Sequence, residues 1–140
     1  VQHFPDTNPL AFAIPSGANT IRVGRTWTST EGSPQTFYAT QEERGFSTAT
    51  YLINAKNGGI MINGSRYYVE MIAYNDGAEC ATMIALYERL ILIDQVHVLF
   101  NPVHYACTEI ALLAEAYKLP IVNTADYSLA PFLDFDAHYA

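Results

Sequence analysis

The sequence predicts an α/β domain of three layers, an open parallel sheet with helices on both faces. Strand-sized apolar runs alternate with stretches of helical periodicity, and Gly-, Pro- and Asn-bearing breakers separate them. The run Tyr67 to Tyr74 is apolar on both sides, as a strand covered from two faces must be. The resulting order, βαβαβαβ, requires parallel pairing through right-handed crossovers. With 140 residues, half of them hydrophobic and 15% charged, the chain fits one domain. A domain of this size buries roughly 70% of its unfolded surface.

Residues Val1 to Asn19 mix Pro5, Pro9, Pro15 and Gly17 with Phe4, Leu10, Phe12 and Ile14, which precludes a helix and gives an extended arm over 1–19. Ile21 to Val23 is a short strand ending at Gly24, and Thr26 to Gln35 is a polar loop. Phe46, Ala49, Thr50 and Ile53 share one helical face between Thr36 and Asn57, opposite the solvated Gln41 to Arg44. Asn57-Gly58-Gly59 stops that helix, and Gly64 turns the chain into the strand Tyr67 to Tyr74. Asn75-Asp76-Gly77 ends the strand. Met83, Leu86, Tyr87, Leu90 and Ile93 mark a helix over Glu79 to Ile93, before the apolar strand Val96 to Phe100 and the breaker Asn101-Pro102. Ile110, Leu113, Ala114 and Tyr117 mark a third helix over Cys107 to Lys118, Pro120 blocks its continuation, and Ile121 to Asn123 is a fourth strand. The lobe is thus expected over 20–128. A tail over 129–140, with Pro131, Phe132, Phe135 and Tyr139, suits no regular element.

The 14 acidic side chains outnumber 7 basic ones, for a formal charge of -7. Lys and Arg never cluster, so the electrostatic footprint of a nucleic-acid binder is missing. No apolar run approaches the roughly 20 residues of a membrane-spanning helix. The chain opens on Val1 without a basic-then-apolar leader, which suggests a removed signal or a trimmed segment. Phosphate loops, a nucleophile elbow and a His-Glu-x-x-His pair are all absent from the sequence. His3, His97, His104 and His138 are scattered rather than spaced as metal ligands. His104 precedes Cys107 by three residues, but no third group orients such a pair. Asp134 and Asp136 share one side of an extended segment without the further oxygens that calcium needs. His104, Asp76, Glu79 and Asp126 near the strand ends show no division into acid and base. The expectation is a non-enzyme without metal or cofactor.

In an open parallel sheet, ligands bind beyond the carboxyl ends of the strands, where loops converge at the switch point. The residues expected there are Thr28, Ser29 and Thr30 after the first strand, Asn101, His104 and Tyr105 after the third, and Asp126 and Tyr127 after the fourth. Their hydroxyls, amides and rings suit a small polar ligand. Cys80 and Cys107 permit one intramolecular bridge, which the count alone does not decide. Asn63-Gly64-Ser65 is an acceptor sequon for N-glycosylation in a polar turn.

Tyr51 to Ile60, with its Ile-Asn-Ala-x-x-Gly-Gly-Ile signature, then Ile62-Asn63-Gly64 and Tyr67 to Asp76, resembles the first lobe of type I periplasmic binding proteins. These are the branched-chain amino-acid binding proteins and their extracellular receptor relatives. The helix with Leu86 to Leu90, the strand Val96 to Phe100 with Asn101-Pro102, and Leu113 to Pro120 before Ile121-Val122 continue the resemblance in order, over roughly Ile21 to Ser128. It implies a secreted, periplasmic or extracellular binding lobe and a bridge between Cys80 and Cys107, which would contribute roughly 3 kcal/mol in the chain-entropy model. In the amino-acid binders the loop after the third strand offers small hydroxyls, whereas this chain has Val103-His104-Tyr105-Ala106. The family closes two lobes over its ligand, so a second lobe is expected outside this chain. A second reading makes the chain a secreted, glycosylated structural subunit. Ten tyrosines and aromatic termini would then join copies of the chain through its arms into a homo-oligomer or filament.

Overall fold

The computed structural model of the chain describes residues 12–28, 34–100, 108–122 and 138–139. Its elements are β1 (Asn19–Trp27), α1 (Pro34–Tyr51) continued by a π-helical turn (Leu52–Lys56), β2 (Ile60–Ile62), β3 (Ser65–Asn75), α2 (Cys80–Leu92), β4 (Val98–Phe100), α3 (Thr108–Tyr117), β5 (Ile121–Val122) and β6 (His138–Tyr139). The strands form one sheet in the order β2-β3-β1-β4-β5-β6. All pairings are parallel except that of β2 with β3. The expected α/β class and open sheet are therefore observed.

β1 is the central strand, paired from Asn19↔Tyr67 to Trp27↔Asn75 on one edge and through Val23↔Val98 and Gly24↔Leu99 on the other. Two consecutive residues of β1 show which helix covers which face. Gly24 points at α2, where a Cβ would stand 2.9 Å from Val96 Cγ1 and 3.1 Å from Leu90 Cδ2. Arg25 points the other way, into α1, with Phe46 beneath its guanidinium. The main core lies on the α2 side, where Met83, Tyr87 and Leu90 of α2 meet Leu99, Ile121 and the Ile110 and Ala114 of α3. Tyr87 is fully buried and donates its phenol to the Phe100 carbonyl, and burial pushes its pKa well above the ordinary value. Tyr74 of β3 donates to Asp94 Oδ2 at 2.8 Å and accepts from Arg89 Nε at 3.1 Å, tying the end of α2 to the sheet.

The structure departs from the sequence reading in four places. β1 runs on through Trp27, where a loop was expected from Thr26, because Arg25 and Thr26 find buried surroundings at 1% and 0% exposure. The expected helix to Asn57 changes pitch at Leu52. The π turn closes with Asn57 N–H donating to Leu52 O and Gly59 N–H donating to Ile53 O. Gly59 stands at φ +92° with its missing Cβ 2.5 Å from the Tyr67 carbonyl, so no other residue fits. Ile60–Ile62 pairs antiparallel with Ser65–Tyr67 around Asn63-Gly64, both at positive φ as a two-residue type I′ hairpin requires. Finally, His138–Tyr139, inside the tail expected to be irregular, pairs parallel with β5. At the other end, Phe12 of the expected N-terminal arm stacks on Tyr68 of its own chain, with ring centroids 5.7 Å apart.

The π turn carries Asn54, 2% exposed, to the outer edge of β3. Its Nδ2 donates to the Val69 carbonyl and its Oδ1 accepts from the Val69 N–H, each at 2.8 Å. One amide side chain thus substitutes for a neighbouring strand. Replacing Asn54 by Ala is expected to lower the unfolding free energy by about 2–4 kcal/mol, because two buried main-chain groups lose their partners. Gly24→Ala is expected to cost about 1–3 kcal/mol by pushing α2 off β1. Urea unfolding monitored by circular dichroism reads both, and a loss below about 1 kcal/mol for Asn54→Ala would show that water repairs the edge.

Candidate functional site

The switch point lies between β1 and β4, since the chain leaves β1 over α1 toward β3 and reaches β4 over α2 on the opposite face. The described residues around it are the ends of β1 and β4, with the end of β3 beside β1. Thr28 is 6% exposed and donates its hydroxyl to Asp76 Oδ1 at 2.7 Å. The same oxygen accepts the Ala78 N–H at 2.9 Å, and the Asp76 N–H donates to the Trp27 carbonyl at 3.0 Å. Asp76 is 1% exposed, and its Oδ2 has no hydrogen-bond donor among the described residues. The turn itself is tight, with Gly77 and Ala78 at φ +61° and +66°. Asp76 therefore welds the ends of β1 and β3 together.

Of the expected ligand residues, only Thr28 falls among those described, and its hydrogen is committed to Asp76 while its oxygen keeps acceptor capacity. Ser29, Thr30, Asn101, His104, Tyr105, Asp126 and Tyr127 lie outside the described residues, as do Cys107, His3, Asp134 and Asp136. Cys80 is not a free thiol. Asn63 is exposed at the hairpin tip. His97 accepts the Arg22 N–H on Nδ1 at 2.9 Å and donates its main-chain N–H to the Arg22 carbonyl at 2.8 Å, so the residue closes main-chain groups of β1. Among the described residues no three His, Cys, Asp or Glu side chains gather to hold a metal ion. No described helix is long and apolar enough to cross a membrane.

Sequence reasoning missed a charged cluster beneath the strand ends. Arg25, 1% exposed, sets Nη2 at 3.1 Å from Glu42 Oε2 and Nη1 at 3.8 Å from Glu43 Oε2, and its guanidinium lies 4.4 Å from the centroid of Phe46. Phe46 in turn meets Phe100 of β4 edge-on at 4.8 Å. Burial raises the Glu43 carboxyl above its ordinary value, and the opposing pull of Arg25 and the Ser47 hydroxyl does not cancel it. The acidic run Glu42-Glu43 was legible as a solvated helix face, and only the buried Arg25 opposite turns it inward. A pocket of about 550 Å³ lies away from the strand ends, along the outer edge of β3, between Glu43, Ser47 and Thr50 of α1 and the side chains of Ile14 and Ile93.

A carboxyl held above its unfolded value contributes stability at low pH that is lost as pH rises through the folded value. Glu43→Gln is therefore expected to flatten the decline of stability as pH rises from the acid side of the ordinary carboxyl range toward neutrality. Glu42→Gln, which leaves Arg25 only its longer contact, is expected to cost about 2–4 kcal/mol at pH 7. Thermal unfolding across that pH range separates the two variants, and parallel pH profiles for Glu43→Gln and the parent would place the titration elsewhere.

No protein-family profile matches the chain, and no curated protein matches it either. Solved structures do. The branched-chain amino acid transporter substrate-binding protein of Streptococcus pneumoniae, in complex with isoleucine, superposes with a TM-score of 0.72 at 21% identity, over 86% of this chain and 33% of that one. A possible leucine/isoleucine/valine-binding protein from Rhodopirellula baltica gives 0.68 at 20% identity, over 85% and 31%. A solute-binding protein of an ABC transporter from Rhodopseudomonas palustris, in complex with 3,4-dihydroxybenzoic acid, gives 0.67 at 22% identity, over 85% and 31%. The chain has the fold of the first lobe of type I periplasmic binding proteins, as the resemblance in its sequence implied, and it spans about a third of their length.

Proposed function

We propose that this chain is the first lobe of a non-enzymatic solute-binding protein and receives a small polar ligand, amino-acid-like or a hydroxylated aromatic acid, at the carboxyl ends of β1, β4 and β5. The observation that carries the reading is the strand order around β1. It creates a switch point between β1 and β4, and in the sequence Ser29 and Thr30 follow β1, Asn101, His104 and Tyr105 follow β4, and Asp126 and Tyr127 follow β5. The relatives in fold support it, being solute-binding proteins with isoleucine or 3,4-dihydroxybenzoic acid named as bound compounds. The bulky His104 and Tyr105 favour the aromatic acid, because rings pack on rings. A second lobe outside this chain closes the clamshell. A periplasmic or extracellular location goes with the role. So does a bridge from Cys80 to Cys107, toward which the bound state of Cys80 points. A glycan on Asn63 would sit on the exposed hairpin tip. The building-block reading rests on aromatic arms that lie mostly outside the described residues, and none of the relatives in fold speaks for it.

Two measurements test the proposal on the naturally produced protein. Isoleucine, leucine, 4-hydroxybenzoate and 3,4-dihydroxybenzoate are screened by thermal shift, and a bound compound at about a hundred times its Kd is expected to raise the midpoint by about 5–10 °C. Tyr105→Ala is expected to abolish that rise. No response to any compound, or an unchanged response in Tyr105→Ala, would overturn the assignment. Alkylation before and after reduction is expected to label Cys80 and Cys107 only after it, and labelling without reduction would remove the bridge.

A further inference from the structure

The outer edge of β3 is open over part of its length. The Asp76 N–H donates to Trp27 of β1, so even-numbered residues at this edge turn their main-chain groups inward, and odd-numbered ones turn outward. Ser65 and Tyr67 spend their outward groups on Ile62 and Ile60 of β2, and Val69 spends its pair on the Asn54 amide. Met71 and Ala73 come next. Their outward N–H and C=O groups make no hydrogen bond among the described residues.

The pocket of about 550 Å³ runs along this stretch, with Met71 in its lining. Its two walls differ in chemistry. The α1 wall is polar and carries Glu43, whose Oε1 accepts from Ser47 at 3.0 Å and whose buried Oε2 has no hydrogen-bond donor among the described residues. The opposite wall sets the apolar Ile14, Ile72 and Ile93 beside the charged Arg22, Glu70 and Asp94. Glu70 and Asp94 add negative charge; Arg22, the cation in the lining, is already spent on Glu70 at 3.3 Å and on the Asp94 carbonyl at 3.0 Å, and Arg25 beneath Glu43 makes its shorter contact with Glu42, at 3.1 Å against 3.8 Å. An unpaired edge between a polar wall and one that joins isoleucines to carboxylates matches an added strand, whose side chains alternate between two faces.

We propose that this groove binds an extended peptide segment of a partner protein, which adds to β3 at Met71 and Ala73, turning Lys or Arg toward Glu43 and apolar side chains toward Ile14 and Ile93. Asn54, occupying Val69, limits the added strand at one end, so the segment is short. The site lies at the sheet edge, apart from the switch point, and so is independent of the ligand proposed there. A protein with a net charge of -7 also attracts basic peptides unspecifically, so the test separates strand pairing from charge.

The probe is a fluorescein-labelled peptide of alternating lysine and valine, six residues long, titrated with the chain and read by anisotropy. The same peptide N-methylated at alternate residues cannot pair along one edge, and its binding is expected to weaken at least about tenfold. Glutamate in place of lysine is expected to weaken it to a similar degree, and Glu43→Gln by about three- to tenfold. Met71→Pro removes an outward donor without touching the β1 ladder and is expected to abolish binding with the far-ultraviolet circular dichroism unchanged. Should Met71→Pro unfold, the N-methylated peptide decides alone. N-methylated and parent peptides binding equally, or no binding of the parent up to about millimolar concentration, would overturn the proposal.

Discussion

Arg25 stands almost fully buried in a strand that is paired on both edges. A lone charge in that position would cost several kcal/mol, and the fold tolerates it because α1 delivers two carboxylates and a ring to the same spot. That requirement fixes the rotation of α1 about its axis: Glu42, Glu43 and Phe46 must all face the sheet together. It also fixes the lateral position of α1, since Phe46 reaches beyond β1 to Phe100 of β4. The neighbouring residue sets the other face. With no side chain at Gly24, α2 approaches β1 closely enough for Leu90 and Val96 to fill the space. A large buried cation and a missing side chain, one residue apart, thus give the two layers of helices their different character.

The same economy governs the sheet's margins. Where β3 outruns its hairpin partner, the Asn54 amide takes over for one residue, and where β1 starts, His97 closes both main-chain groups of Arg22. Asn54 does so with one amide that donates and accepts in a plane, mimicking a neighbouring peptide, whereas His97 accepts on its ring and donates with its own main-chain N–H. Asn54 can do this only because the π turn advances it by a fraction of a helical turn, and only Gly at positions 58 and 59 lets the chain leave the turn at positive φ. The Asn-Ala-x-x-Gly-Gly pattern is therefore one structural device rather than a chain of separate preferences.

The order of strands and helices was legible because burial on two faces writes itself as apolar runs, and because Asn57-Gly58-Gly59, Asn75-Asp76-Gly77 and Pro120 punctuate them. What escaped the reading were features whose sense lies in a distant partner. Thr26 looks like the start of a polar loop until Arg25 before it is seen buried between Glu42, Glu43 and Phe46. Ile60 to Ile62, all exposed in the hairpin, carry no alternation to announce a strand. Asp76 read as a turn residue, and it is one, yet its carboxylate also receives Thr28 from 48 positions earlier. Of the candidate site, sequence pattern located the strand ends, and the chemistry of the loops beyond them stays a matter of residue type.

The clamp between Thr28 and Asp76 bears on how such a lobe divides stability from selectivity. The Thr28 hydroxyl joins the ends of β1 and β3, its hydrogen directed to a buried carboxyl while its oxygen keeps acceptor capacity. A charge-assisted bond shielded from water is among the stronger single contacts available to a side chain. It fixes the end of β1 through Thr28, and the tight turn at Gly77-Ala78 does the same for the entry into α2 at Cys80. Residues of the loops beyond the strand ends can then vary without disturbing the platform, because the contacts that hold it lie within the sheet and its turns.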